Sequence, residues 1–465
     1  MGVTAAARLR LARDAGSASL DVYEHGWLAA VLPAAARRVR VADARLAQTL
    51  ADAGADLVDR DPDVEIGPAD WLRGDASLAV VPFGAPPHDS ASRALRVGRR
   101  VVRSGRTRIA AARARPIVAR RGYERPRVLL WDLRQPLRGP GARPGSLVER
   151  LPQRALVVGA RRESPPALLE ACLADAAAQV GLPLRAQPPT PRSGLLTAVT
   201  DGGVLRVAVG PARTQIEAQV DVLTTLHDRD PSPVIAARVP EVLAHGRSGL
   251  ARWSLEERLP AAGSPVALSP ALLAACVDFL VALHGTSGTG RPQSLVAGAE
   301  LVVRVRPAST RLRAVAARLD ETLADVPRGF GHGDFFLGNL LVDEGGALAG
   351  VVDWDAGGAG RLPLLDLVHL RHMAKYPLPD DDWGPSFLER VLPWARAGGD
   401  EVARGYCRRV GFDPESRRLT ALAYAYWLDR LAYQVRTHVH RHTEERWLAR
   451  NVDLVLDAAS EEGWA

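Results

Sequence analysis

The hydrophobic rhythm of this chain changes near residue 190, and that change limits the available folds more than any single motif does. Before it, strand-like and helix-like segments alternate. "RRVRVAD" (37–43) predicts a strand, "ARLAQTLADAGA" (44–55) a helix closed by glycine, and "DLVDRD" and "SLAVVPFG" further strands. This is the βαβ rhythm of a parallel α/β sheet. "RALVVGA" and "PPALLEACLADAAAQVGL" add one more strand and helix. After residue 190, "GLLTAVTDGGVLRVAVG" predicts two strands joined by Asp-Gly-Gly, a turn suited to a hairpin. "RTQIEAQVDVLTTLHD" has helical spacing, "RWSLEERLPAAGSP" a strand running into a Pro/Gly break, and most of the chain beyond that break is helical. A chain of 465 residues exceeds one ordinary core, so two or three domains are expected.

Composition matters for the functions it discourages. The net charge of +7 suits an anionic partner, but Lys375 is the only lysine, so the basicity reflects a general bias towards arginine. The densest run, 93–127, carries thirteen arginines. It reads either as a patch for phosphates, a nucleic acid or an anionic lipid surface, or as a solvated helix face. Few aromatics interrupt it for base stacking, which favours the solvated face and leaves no clear nucleic-acid or membrane partner. Cys172, Cys276 and Cys407 fit no metal or redox spacing and suggest a reducing compartment. The start of the chain lacks an apolar leader-like run, and no later run reaches membrane-spanning length, so a cytoplasmic protein is expected. The glycine fingerprint of a dinucleotide site is missing after the first predicted strand.

One short stretch carries chemistry: "GFGHGDFFLGNLLVDEGGALAGVVDWDAGGAG". A divalent cation holding a nucleotide triphosphate takes hard oxygen ligands, often one or two from the protein. Asn339 and Asp353 supply such oxygens, the latter at the end of a hydrophobic strand. Asp334, five residues before Asn339 in a loop rich in glycine, suits a carboxylate that accepts the proton of an attacking hydroxyl.

His-Gly-Asp, four residues, Asn, then a strand ending Asp-Trp-Asp resembles the aminoglycoside phosphotransferase and choline kinase-like family over about residues 190–465. The resemblance implies a two-lobed, protein-kinase-like α+β phosphotransferase domain, and the βαβ rhythm before it predicts an α/β, Rossmann-like N-terminal domain. The expected boundaries are 1–145 for the α/β domain, 146–186 for a connecting strand-helix segment, 187–260 for the N-lobe and 261–465 for the helical C-lobe. By the same resemblance Asp334 is the catalytic base, His332 shapes its loop, Asn339 and Asp353 bind magnesium, Asp366 is a structural carboxylate and Asp355 is a metal or substrate neighbour. The lysine that the family places on the third N-lobe strand falls on Arg206, with Glu217 as its expected helix partner; arginine keeps the charge but not the geometry. Ser193 and Gly194 fall in the phosphate-covering loop, and the backbone between Glu257 and Leu259 meets the adenine edge.

For the acceptor, Asp380, Asp381 and Asp382 read as an acidic rim or a solvated loop, and Trp427 in an aromatic run as a substrate wall or as core. The whole predicts an enzyme: an ATP- and Mg2+-dependent phosphotransferase with an alcohol acceptor on a sugar, amino sugar or amino alcohol. Its rivals are a nucleotide-binding pseudokinase or scaffold, and a bifunctional protein whose N-terminal domain is a second enzyme.

Overall fold

A computed structural model of the chain describes residues 26–68, 71–73, 76, 78–84, 108–131, 154–160, 166–192, 194–229, 232–286, 293–375, 383–437 and 445–464. Two compact units interleave along the sequence. Of the described residues, one takes Gly26 to Ile216 and then Val242–Glu257; the other takes Glu217–Glu241 and Arg258 onwards.

The first unit contains two sheets. Strands β1 (Arg38–Val41), β2 (Asp56–Leu57), β3 (Val64–Ile66), β4 (Leu78–Gly84), β5 (Glu124–Trp131) and β6 (Arg154–Ala160) lie in the order β2-β1-β3-β4-β6-β5. The first four are parallel, as the βαβ rhythm predicts, whereas β6 runs antiparallel to both β4 and β5. β1 passes into helix α1 (Ala44–Asp52) through a tight turn in which Asp43 Oδ1 accepts the Leu46 N–H at 2.8 Å. A short capped turn thus stands where a phosphate-cradling loop would open. Helix α2, over 108–120, buries Ala111, Ala114 and Val118, while Arg113 and Arg120 face solvent. Within this helix of the arginine-rich run, then, Arg108, Arg113, Arg115 and Arg120 are exposed to solvent.

The second sheet is antiparallel, ordered β10-β11-β9-β8-β7 from β7 (Thr190–Arg192), β8 (Leu195–Val199), β9 (Val204–Val209), β10 (Val242–Ser248) and β11 (Ala251–Glu256). Asp201, Gly202 and Gly203 make the expected turn, with Thr200 N–H donating to Gly203 C=O at 2.7 Å. Helix α3 (Leu168–Val180) packs on β10 and β11, and one apolar core runs from Val39, Ile66 and Val80 through Leu168 to Leu196, Val207 and Trp253. The structure therefore departs from the expected boundaries at 145 and 187. The connecting segment supplies both an interior strand of one sheet and the helix under the other, so no cut separates two cores.

The second unit is mainly helical: α4 (Arg213–His227, which begins in the first unit), α5 (Pro270–His284), α6 (Leu295–Val305), α7 (Arg311–Thr322), α8 (Leu365–Lys375), α9 (Trp383–Ser386), α10 (Ser416–Thr437) and α11 (Leu454–Glu461). α5 starts on the Ser269 cap, whose Oγ accepts the Leu272 N–H, followed by Pro270. α10 buries residues around its whole circumference, from Leu419 to Val435, which explains its apolar run without a clean stripe. Two small antiparallel pairs, β12 (Gly329–Gly331) with β15 (Gly358–Arg361) and β13 (Leu340–Val342) with β14 (Leu348–Val351), carry the signature stretch. No described helix is long and apolar enough to cross a membrane.

Candidate active site

The stretch 329–361 folds back on itself twice. The β12–β15 pair brings Gly331 opposite Gly358, and the β13–β14 hairpin brings Leu340 opposite Val351. Between them, Val352 N–H donates to the Asn339 C=O at 2.9 Å, so the Asp353 backbone follows directly on a residue bonded to Asn339. Gly333 turns the loop with φ +80°, and a Cβ there would lie 2.2 Å from the Ala356 carbonyl oxygen. A side chain at this position is excluded by both conformation and space.

Asp366, in the first turn of α8, holds that loop from outside. Its two oxygens accept the His332 and Gly333 N–H groups at 2.7 and 2.8 Å. Leu364, just before the helix, adopts φ +72°, a strained conformation for leucine that sets the entry to α8. His332 is fully buried. Its Nδ1 accepts the Asp334 N–H at 3.2 Å, and its Nε2 therefore donates to the Val352 carbonyl at 3.1 Å. Burial pushes its pKa down, with Asp366 and Asp334 opposing, so the ring is a neutral strut between the Asp334 loop and the strand leading to Asp353.

Asp334 is the most strongly held carboxylate in the site. Its Oδ1 meets Arg430 Nη1 at 3.1 Å and His369 Nε2 at 3.2 Å, and its Oδ2 accepts from Asn339 Nδ2 at 3.2 Å. Burial would raise its pKa; Arg430, then the hydrogen bond from His369, overcome that and hold it far below the usual carboxylate range. Arg430, on α10, also donates to the Gly333 carbonyl and stacks on Tyr433 at 4.3 Å. Neighbouring Asp429 is engaged separately, by Arg361 at 2.9 Å and Gln293 at 2.7 Å.

Asn339 Nδ2 also donates to the Asp334 backbone carbonyl at 3.0 Å, so its amide hydrogens are directed at Asp334 and its Oδ1 is left as the oxygen to meet a cation. Asp353 adopts φ +73°, a conformation aspartate tolerates better than most residues. Among the described residues no group of three or more His, Cys, Asp or Glu is placed to hold a metal. An amide oxygen and a carboxylate fit a cation whose remaining ligands are phosphate oxygens and water, which suits magnesium better than a closed protein cage would.

The other expected site residues fare differently. Arg206 on β9 donates from Nε to Glu256 Oε2 at 3.2 Å, while Glu256 Oε1 accepts from Ser254 Oγ at 2.9 Å. Ser254 lies opposite Arg206 in the β9–β11 register, so Glu256 is its diagonal neighbour on the same sheet face. Glu217, the expected partner, lies on α4. Gly194 makes the β7–β8 turn with φ +79°. Ser193 and Asp380, Asp381 and Asp382 lie outside the described residues. Glu257 follows β11, and Leu259 is buried against Gly350 of β14. Asp355 is half-buried in the turn after Trp354. Trp427 corrects the substrate-wall reading: it is 0% exposed, packs on Phe387 and Tyr424, and donates its indole N–H to the Asn451 carbonyl at 2.9 Å.

Sequence reasoning missed Arg430, His369 and Glu256. A trace of His369 was present: Asp366, His369 and His372 recur every three residues and so share a helix face. Arg430 had no comparable local signal.

Residues 193–420 match the model of a family described as the phosphotransferase enzyme family (APH). A comparison with curated proteins gave no match. Among solved structures, the chain is similar to aminoglycoside phosphotransferase APH(3'')-Id from Streptomyces rimosus, at 20% identity and TM-score 0.36 over 57% of this chain and 97% of that one. It is also similar to choline kinase LicA from Streptococcus pneumoniae (13%, TM-score 0.36, 59% and 90%) and to a Plasmodium vivax ethanolamine kinase (9%, TM-score 0.38, 61% and 84%). Identities and scores this low carry no substrate from those proteins to this chain.

Proposed function

We propose that the chain, whose residues 193–420 match the model of the phosphotransferase enzyme family, transfers the γ-phosphoryl group of ATP to a hydroxyl of a small molecule such as a sugar, amino sugar or amino alcohol. The observation that carries this reading is the state of Asp334. Its Oδ1 is saturated by Arg430 and His369, whereas Oδ2 has Asn339 Nδ2 as its one described donor and the side chain keeps 21% exposure, so Oδ2 has a lone pair left to meet an acceptor. Held ionised, Asp334 always stands ready to accept a hydrogen bond from the acceptor hydroxyl and to orient it for in-line attack. So weak a base takes the proton late, once bonding to phosphorus has acidified the attacking oxygen. Asn339 and Asp353 would hold Mg2+, which when bound neutralises charge on the phosphates. His332 and Asp366 keep the loop in register, with Asp355 in the same turn as Asp353.

Arg206 is the cation proposed to serve the nucleotide phosphates, in a setting already shared with Glu256. Gly194 and the backbone at Glu257–Leu259 are proposed nucleotide contacts. The engagement of Arg206 by a buried carboxylate favours one second reading, a nucleotide-binding scaffold without turnover. Screening hydroxylated metabolites and aminoglycosides for acceptor-dependent ADP release separates the two. Acceptor-dependent release that Asp334→Ala abolishes, with nucleotide binding retained, supports the enzyme. Full turnover by Asp334→Ala rules Asp334 out as the residue that orients the acceptor.

A further inference from the structure

Behind Asp334 lies a chain of buried polar side chains that the proposed phosphoryl transfer does not use. His369 Nε2 is 3.2 Å from Asp334 Oδ1, and His369 Nδ1 is 3.1 Å from Tyr426 Oη. The same Oη is 3.1 Å from His372 Nδ1, and His372 Nε2 is 2.7 Å from Ser386 Oγ. His369, His372, Tyr426 and Ser386 are each no more than 5% exposed. Water therefore does not complete their hydrogen bonding, and proton placement must satisfy all four at once.

One arrangement follows from donor and acceptor counting. The ionised Asp334 only accepts, so His369 Nε2 must carry the proton. A neutral His369 then offers Nδ1 as an acceptor, which the Tyr426 hydroxyl fills. That hydroxyl has a single proton, so His372 Nδ1 must donate to Tyr426 Oη. His372 Nε2 is then bare and accepts from the Ser386 hydroxyl. Every donor in the series points towards Asp334.

Both imidazoles are neutral in this setting. His369 on α8 faces Asp334 and Phe336 from the loop, Arg430 and Tyr426 from α10, and Trp383 from α9, with Asp366 on its own helix. Burial, then the Arg430 charge, push its pKa down. His372 faces Tyr426, Ser386 and Trp383, and burial, followed by the charges of His369 and Arg390, takes its pKa down to about 3. The far end is fixed too. Gly384 N–H donates to Asn451 Oδ1 at 2.6 Å, and a Cβ on Gly384 would lie 2.2 Å from the Arg450 carbonyl oxygen. The short helix α9 that carries Ser386 is thereby pinned.

We propose that His369 is a positioning residue for phosphoryl transfer: locked as the Nε2–H tautomer by Tyr426, His372 and Ser386, it fills Oδ1 of Asp334 beside Arg430 and so directs the acceptor hydroxyl to Oδ2, where Asn339 Nδ2 takes one lone pair and leaves the other. Arg430 alone supplies charge; His369 supplies direction. This rests on the reading of Asp334 as the residue that meets the acceptor, and the test keeps the two apart.

Two measurements decide it. In wild-type protein, long-range 1H–15N spectra of the histidine rings are expected to show His369 as the Nε2–H tautomer and His372 as the Nδ1–H tautomer, with assignments from His369→Gln and His372→Gln. The opposite tautomer at His369 overturns the proposal whatever the activity. In steady-state assays with magnesium ATP and the best acceptor from the screen, His369→Leu is expected to lower kcat on the order of 10²-fold, as a misplaced reacting group does, with the KM for ATP unchanged. His369→Gln, whose amide keeps a donor towards Oδ1, restores most of the loss, and Tyr426→Phe falls between. A kcat for His369→Leu equal to wild type, while Asp334→Ala is inactive, sinks the positioning role and leaves the proposed function standing. Activity in Asp334→Ala sinks the proposed function itself.

Discussion

Two buried arginine–carboxylate pairs, one in each unit, show how similar chemistry can serve different ends. In the sheet, Arg206 holds Glu256, whose second oxygen is taken by Ser254, and the carboxylate side chain is 3% exposed. In the helical unit, Arg430 holds Asp334, which also meets His369 and Asn339 yet keeps 21% of its side chain exposed. A carboxylate engaged on both oxygens and sealed from water orders the strands around it. One that is charged, crowded at one oxygen, lightly held at the other and still partly exposed can act on something that arrives. An arginine partner alone does not tell the two apart; the remaining exposure does.

The most severe way to probe this contrast is to remove Asp334. Asp334→Ala is expected to abolish acceptor-dependent ADP release while nucleotide binding, followed by calorimetry, persists. It also strands a buried Arg430, so urea denaturation should show a loss of about 3–5 kcal/mol. Asp334→Asn, which keeps the shape, should recover part of the stability but none of the turnover. Losing the arginine instead, as Arg430→Met, should cost a similar stability and raise the pH at which activity fails in acid. The sign follows from the carboxyl: its folded pKa lies below its unfolded one of about 3.9, so its stabilisation is present above that value and lost only as pH falls through the folded pKa. Without Arg430 burial is opposed mainly by His369, so the acid limb of the pH–rate profile moves up.

The sheet pair should answer differently. Arg206→Met leaves Glu256 buried and is expected to lower stability by about 3 kcal/mol or more. Glu256→Gln keeps a hydrogen-bonding partner for Arg206 and should cost less. If Arg206 serves phosphates, the KM for ATP in Glu256→Gln changes; a lowered Tm with an unchanged KM makes the pair purely structural. At Gly333, alanine must adopt φ +80° and also displace the Ala356 carbonyl, whose oxygen would lie 2.2 Å from the new Cβ. The strain alone costs about 1–3 kcal/mol and the clash adds to it, so a clearly lowered Tm is expected, with kcat falling because Asp334 is the next residue.

The contrast also shows what was legible in advance. Asp334, Asn339, Asp353, His332 and Asp366 lie within one continuous stretch, where short spacings in a glycine-rich loop fix their geometry, so the loop and both its supports could be read. Arg430 lies 97 residues from the Gly333 carbonyl it bonds, and only the packing of α10 brings it there. Glu256 was hidden for another reason. Family analogy directs attention to a helix glutamate, and strand register supplies a diagonal partner 50 residues away that the analogy does not mention. Before residue 190 the rhythm disclosed β1, β2, β4 and β6 but neither β3 nor β5, and not the strand order, because β6 enters between two strands that precede it.

That insertion bears on any attempt to dissect the protein. A fragment ending at residue 145 would retain β4 and β5 and lose the strand that hydrogen-bonds to both. Each would be left with an open, unpaired edge, and the buried side chains Leu78 and Val80 on β4 would lose their cover. Open apolar edges of this kind recruit other chains. The first third of the chain is better regarded as a component of a larger sheet assembly than as a detachable module.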